Sequence, residues 1–119
     1  MPTYLVFGAS LNPVRHSNKA VKSLVRHNRK VMAIGLREGT ILDVPVMTGL
    51  PLLKGIDTIL LYIGTRNQLP FYDYFIKLKP RRVVFNPGTE NREFQEILAK
   101  NQIEVIEGCA LLMINSGQI

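Results

Sequence analysis

The sequence predicts a single α/β domain: one doubly wound, mostly parallel Rossmann-like sheet of about five strands, with helices on both faces. Three observations predict it. Short apolar runs that break at glycine alternate with amphipathic segments of helical period, which is the pattern of βα repeats. One of these runs, Asp57 to Gly64, is apolar without alternation, as expected of a central parallel strand buried on both faces. The length of 119 residues suits one core and leaves no room for a second, so the whole chain is read as one domain.

The elements follow in order. Tyr4 to Phe7 is a compact β-prone run that stops at Gly8. From Ser17 to His27, Ala20, Val21, Leu24 and Val25 recur at helical spacing, while Lys19, Lys22, Arg26 and Arg29 lie on the other side. This is an amphipathic helix, and Asn12 or Ser17 stands where a cap is needed. Lys30 to Gly35 reads as a second strand, because its apolar run is short and ends at a glycine. Between Thr40 and Leu53 the residues Ile41, Val44, Val46 and Met47 are interrupted by Pro45, Gly49 and Pro51, so a loop with one short strand is expected.

Beyond the strand at Asp57 to Gly64, Pro70 suits the first turn of a helix in which Tyr72, Phe75, Ile76 and Lys79 share a face until Pro80. Arg82 to Asn86 is the next strand. Asn86-Pro87-Gly88 turns the chain, Thr89 is the expected cap, and Phe94, Ile97 and Leu98 mark the apolar side of a last helix. Ile103 to Ile106 is the final strand. The apolar tail from Cys109 to Ile114 should pack on the body, and it is the expected contact of a homodimer.

Composition excludes several classes. Hydrophobic residues make up 46% and charged residues 20%, so the chain can bury a core and is neither disordered nor fibrous. The net charge is +6, and it is unevenly placed. Up to Arg37 there are seven basic residues and no acidic one; the remainder holds eight basic and all nine acidic residues. The excess therefore sits in the first third, which points to an anionic partner there. The single cysteine, Cys109, rules out an internal disulfide and fits a reducing compartment. No apolar run approaches the ~20 residues that span a bilayer, and Met1 to Gly8 lacks the basic and long apolar regions of a signal peptide. The expected location is the cytoplasm.

In doubly wound sheets, ligands bind beyond the C-terminal ends of the strands, so the turns after Phe7, Ile34, Ile63 and Phe85 are the places to search. The first is the richest. Gly8-Ala9-Ser10-Leu11-Asn12-Pro13 follows strand one directly and leads into the basic helix. A glycine there lets backbone N–H groups turn towards a ligand at close range, and the helix N-terminus adds partial positive charge suited to phosphate. Arg15 can add a charge-assisted bond to a phosphate oxygen. The loop is not G-x-G-x-x-G, since Ser10 and Pro13 stand in place of the second and third glycines. Arg37, after strand two, points towards an additional phosphate on a ribose and away from NAD.

Four segments together carry a likeness to a known family: Val6-Phe7-Gly8-Ala9-Ser10-Leu11-Asn12-Pro13, Asp57-Thr58-Ile59-Leu60-Leu61-Tyr62, Phe85-Asn86-Pro87-Gly88-Thr89-Glu90-Asn91, and Gly108-Cys109. In order and spacing they resemble the CoA-binding domain family, the small Rossmann-like proteins related to the N-terminal domain of the succinyl-CoA synthetase α subunit. The resemblance implies a coenzyme A or acyl-CoA site built from three strand ends. Gly8, Ala9, Ser10, Leu11 and Asn12 with Arg15 would hold the phosphates, Arg37 would lie near the adenosine phosphate, and Ile63, Gly64, Thr65 and Arg66 would line the third side. The chain departs from the family in having Gly35-Leu36 where an Asn-Pro pair commonly ends strand two.

Catalysis has little to build on. The acyl-CoA synthetases of this fold carry their phosphoryl group on a histidine of another domain, whereas this chain has only His16 and His27. His16 borders the first loop and can reach a phosphate; His27 falls at a helix end among basic neighbours, where solvent exposure or a dipole contact is expected. The acidic residues form no convergent pair for acid–base work. No His or Cys spacing suggests zinc, and Cys109 reads as a small buried residue rather than a nucleophile or a partner in a mixed disulfide with the CoA thiol. Lys19, Lys22, Arg26 and Arg29 are explained as the solvated face of a helix, so no nucleic-acid or membrane partner is expected. The reading is a CoA-binding module without chemistry of its own. The alternatives are an NAD(P)-dependent oxidoreductase, or an acyl-CoA ligase component that needs a partner subunit.

Overall fold

The computed structural model describes residues 2–119; Met1, where the segment read for a targeting signal begins, lies outside the described residues. The order of elements is β1 (Thr3–Ala9), α1 (His16–Arg26), β2 (Lys30–Gly35), β3 (Gly39–Ile41), β4 (Val44–Met47), β5 (Ile56–Leu61), α2 (Tyr72–Leu78), β6 (Arg82–Phe85), α3 (Arg92–Lys100), β7 (Glu104–Glu107) and α4 (Ala110–Asn115). Two 3-10 turns, Thr65–Asn67 and Leu69–Phe71, fill the connection from β5 to α2.

The strands form one sheet in the order β3-β4-β2-β1-β5-β6-β7. All neighbours run parallel except β3 and β4, so the sheet is mixed and mostly parallel. Seven strands stand where about five were expected. The difference lies in the segment from Thr40 to Leu53, read as a loop with one short strand. It holds β4 and most of β3, which pair as an antiparallel hairpin through Thr40↔Pro45 and Ile41↔Val44. Leu42 and Asp43 make the turn with φ of 44° and 67°. Two positive φ values give the tight two-residue turn whose twist suits a hairpin, although such turns usually carry Asn or Gly.

β1 shows why its sequence reads as a continuous apolar run. Tyr4 and Val6 point into a core shared with α1 and α4, while Leu5 and Phe7 point into one shared with α2 and α3. Successive residues of a strand face opposite sides of the sheet, so a strand covered on both faces has no polar positions to spare. Leu5, Val6, Leu60, Val83 and Phe85 are completely buried, and each such side chain contributes about 1.5–3 kcal/mol of burial. The apolar tail forms α4 and packs against α1, where Ser23 donates a hydrogen bond to Asn115 Oδ1 at 2.5 Å.

Helix boundaries differ from the expectations in local chemistry. Pro70 sits in a 3-10 turn and α2 begins at Tyr72. Thr89 does not cap α3: its hydroxyl donates to the Asn86 carbonyl at 2.8 Å, and Asn91 Oδ1 accepts from Phe94 N at 3.1 Å instead. At α1 the N-cap is Arg15, which makes no side-chain cap; Asn12 and Ser17 are occupied in the loop described next.

Candidate functional site: the cavity over the strand ends

At the end of β1 the chain must turn under another segment at very short range. Gly8 adopts φ +95°, and a Cβ there would lie 3.0 Å from Ile63 Cγ1 and 3.1 Å from the carbonyl carbon of Tyr62. The continuation of β5 passes directly behind it, with Tyr62 N–H donating to the Phe7 carbonyl at 2.9 Å. Gly35, at the end of β2, is constrained in a second way: a Cβ would collide with the Ala9 carbonyl oxygen. Both glycines allow neighbouring strand ends to crowd together, and the loops that leave them open onto one side.

The loop from Ser10 to Arg15 is tied by its own side chains. Ser10 N–H donates to Ser17 Oγ at 3.0 Å, Asn12 N–H to Ser10 Oγ at 3.1 Å, and Val14 N–H to Asn12 Oδ1 at 3.1 Å. Asn18, buried under the loop, donates its side-chain N–H to the Ser10 carbonyl at 2.9 Å. Asn12 and Ser17 thus shape the loop rather than cap α1. The first N–H groups of a helix have no intrahelical acceptors, and no side chain of the N-cap residue covers them here. His16 and Ser17, at that helix start, line a cavity of about 1180 Å³, roomy against the ~300–1,000 Å³ of common small-molecule sites.

That cavity runs across the C-terminal ends of β2, β1 and β5. Gly8, Ala9, Ser10, Leu11, Asn12 and Arg15 line it from the first loop, Arg37 from the end of β2 and Ile63 from the end of β5. Gly64, Thr65 and Arg66 do not line it. They are exposed on the following turn, where the Thr65 hydroxyl donates to the Glu90 carbonyl at 2.6 Å. The walls also include residues that nothing in the sequence assigns to the site: Leu36, Gly49 and Leu50 on one side, Asn67, Pro70 and Phe71 on the other. Gly49 and Leu50 enter because the β4–β5 segment is drawn onto α2, where Tyr74 donates its hydroxyl to the Pro51 carbonyl at 2.7 Å.

The charges of the cavity are unopposed. Among the described residues the ion pairs are Arg81 with Asp57 and Arg92 with Glu96, each at 3.1 Å, and neither involves Arg15 or Arg37. By contrast Arg29, expected on the solvated face of the helix, lies three residues beyond the end of α1 and is absorbed by packing: it donates to the Ile119 carbonyl at 3.2 Å and lies 5.8 Å from the Tyr4 ring centre. His27 uses Nδ1 against the Ser23 carbonyl at 2.8 Å. No group of three or more potential metal ligands occurs among the described residues.

Beside the cavity, the side-chain amide of Asn86 fastens α4 to the sheet, donating to the Leu61 carbonyl at 3.0 Å and accepting from Ala110 N–H at 2.8 Å. Cys109 is a half-buried free thiol just before α4. Burial pushes the Tyr62 hydroxyl well above the ordinary phenol range, with Cys109 reinforcing the shift, so this group stays protonated at neutral pH.

A family model for the CoA binding domain matches residues 2–115. The chain belongs to the CoA-binding domain family. Among solved structures, an uncharacterized protein superposes with a TM-score of 0.95 at 39% identity, covering 100% of this chain and 98% of that one. A Thermus thermophilus protein has a TM-score of 0.88 at 17% identity, over 99% and 90% of the two chains. A conserved hypothetical protein from Pyrococcus furiosus reaches 0.81 at 22% identity, over 94% and 98%. The last two likenesses concern the fold. No curated protein matches the chain. Membership of this family agrees with the α/β fold of the sequence reading and points to a CoA-related small-molecule ligand. No helix among the described residues is long and apolar enough to cross a membrane.

Proposed function

We propose that the chain is a binding module for coenzyme A or an acyl-CoA, working in the cytoplasm, and that it holds the ligand in the cavity over the strand ends. The pyrophosphate lies at Gly8, Ala9, Ser10, Leu11 and Asn12, with Arg15 and the start of α1 supplying positive charge. The observation that carries this reading is the junction at Gly8, where a backbone no other residue can follow closely opens a loop onto the cavity beside a helix N-terminus. Arg37, free of acidic partners among the described residues, takes the phosphate on the adenosine ribose. Ile63 supports the third side.

The module performs no chemistry of its own. His16 is the histidine that lines the cavity, and no carboxylate lines it to work with that ring. Calorimetric titration with CoA, dephospho-CoA and NAD tests the proposal. CoA is expected to bind most tightly and dephospho-CoA more weakly; binding of NAD without CoA would overturn it and favour a nicotinamide-dependent oxidoreductase.

A further inference from the structure

The cavity has two ends of different chemistry. In the sheet, β2 lies on one side of β1 and β5 on the other, so the loop after β1 occupies the middle of the cavity. Arg37 follows β2 and brings charge to that end beside the exposed Leu36, whereas Tyr62, Ile63, Asn67, Pro70 and Phe71 follow β5 and bring none. CoA is likewise built in three parts: a phosphorylated adenosine, a central pyrophosphate, and an arm that ends in the thiol. With the pyrophosphate at the central loop and the adenosine phosphate at Arg37, the arm runs towards Ile63 and Phe71.

That end is apolar where a bare thiol needs little room. Phe71 is half-buried and stands edge-on to Phe7, with ring centres 5.1 Å apart and planes at 70°. Pro70 is exposed beside it. Neither Arg66 nor any acidic residue lines the cavity there; the hydroxyl of Tyr62 is buried away from solvent, and the Asn67 amide is exposed. A hydrocarbon group continuing from the sulfur would cover the Pro70 and Phe71 surface and remove it from water, and burial of that kind is favourable in proportion to area.

We infer that the β5 end of the cavity is an acyl pocket and that the preferred ligand is an acyl thioester of CoA with a short apolar chain, selected by Pro70 and Phe71. This rests on the CoA reading above. Each methylene buried is worth about fourfold in affinity, so butyryl-CoA, longer by two, should bind roughly fifteenfold more tightly than acetyl-CoA.

The test is calorimetric titration of the protein with CoA, acetyl-CoA and butyryl-CoA, repeated for Phe71→Ala and Pro70→Asp. The second variant places an acid at an exposed position ahead of α2, where a negative charge suits the helix start and the fold is kept. In both variants the ratio of butyryl-CoA to acetyl-CoA affinity is expected to fall to about one. Equal binding of CoA, acetyl-CoA and butyryl-CoA by the unaltered protein would overturn the acyl pocket and leave the CoA site standing. So would an unchanged ratio in both variants. Failure of all three ligands to bind would overturn both readings.

Discussion

Replacing Gly8 by alanine should be among the costliest one-carbon changes in this protein. Its φ of +95° is a conformation that side chains of L-residues rarely adopt, and forcing one there costs roughly 1–2 kcal/mol. The new Cβ would also press on the Tyr62 carbonyl carbon at 3.1 Å and on Ile63 Cγ1 at 3.0 Å. Tyr62 is held by its own bond to the Phe7 carbonyl, so it cannot yield freely, and such overpacking adds about 1–2 kcal/mol. The expected total is about 2–4 kcal/mol. With a urea slope of about 1–3 kcal/mol per molar, the unfolding midpoint should fall by roughly 1–2 M. Gly49→Ala is the control, because Gly49 has φ +74° and no heavy atom within 4 Å of the added carbon. It should lose only the backbone part, roughly 1–2 kcal/mol. If the two variants unfold at the same urea concentration, the close passage of the β5 continuation behind Gly8 is refuted.

Other perturbations separate the remaining claims. Asn91→Ala removes the cap of α3 and strands Gln68 Oε1, to which Asn91 donates at 2.9 Å; urea unfolding should show a loss of roughly 2–3 kcal/mol, and a change below about 0.5 kcal/mol would deny the network its role. The Arg81 guanidinium bonds the Asp57 carboxylate and holds its pKa below the ordinary 3.8, against the opposing effect of burial. The unfolded chain therefore takes up the proton first on acidification. The contribution of Asp57 is complete above its unfolded pKa and is lost as pH falls through the lowered folded one. Asp57→Asn should flatten the stability profile below about pH 4, whereas an unaltered slope there would show that the pair does not form in solution. Arg37→Ala should weaken CoA by roughly tenfold or more and dephospho-CoA much less; equal losses in titration would remove Arg37 from the adenosine phosphate.

What could be read from the sequence follows the physics of each segment. β1 and β5 are buried on both faces, so their apolar runs are unbroken and their strands stand out. The hairpin of β3 and β4 is hidden for three reasons: β3 has three residues, the turn at Leu42-Asp43 lacks the usual Asn or Gly, and Pro45 interrupts β4. Pro45 is tolerated because β2 pairs only with Val46 and Met47, leaving its missing N–H outside that ladder. The first loop was legible through Gly8, whose role needs no partner to be guessed. Phe71 and Leu50 were not, since each reaches the cavity only through tertiary packing: Phe71 against Phe7, and Leu50 through the Tyr74 bond to Pro51. The caps show the same limit. Thr89 and Asn91 are both cap residues by type, Asn the better one, and the Asn86 carbonyl claims the Thr89 hydroxyl.

If CoA occupies the cavity over the ends of β2, β1 and β5, with its phosphates at the first loop, backbone amide NMR shifts during a CoA titration will map it residue by residue. The largest, saturable shifts are expected at Gly8, Ala9, Ser10, Leu11, Asn12 and the first residues of α1, with a second group at Arg37. Saturable shifts confined to another part of the surface, or none at all in the folded protein, would contradict that placement.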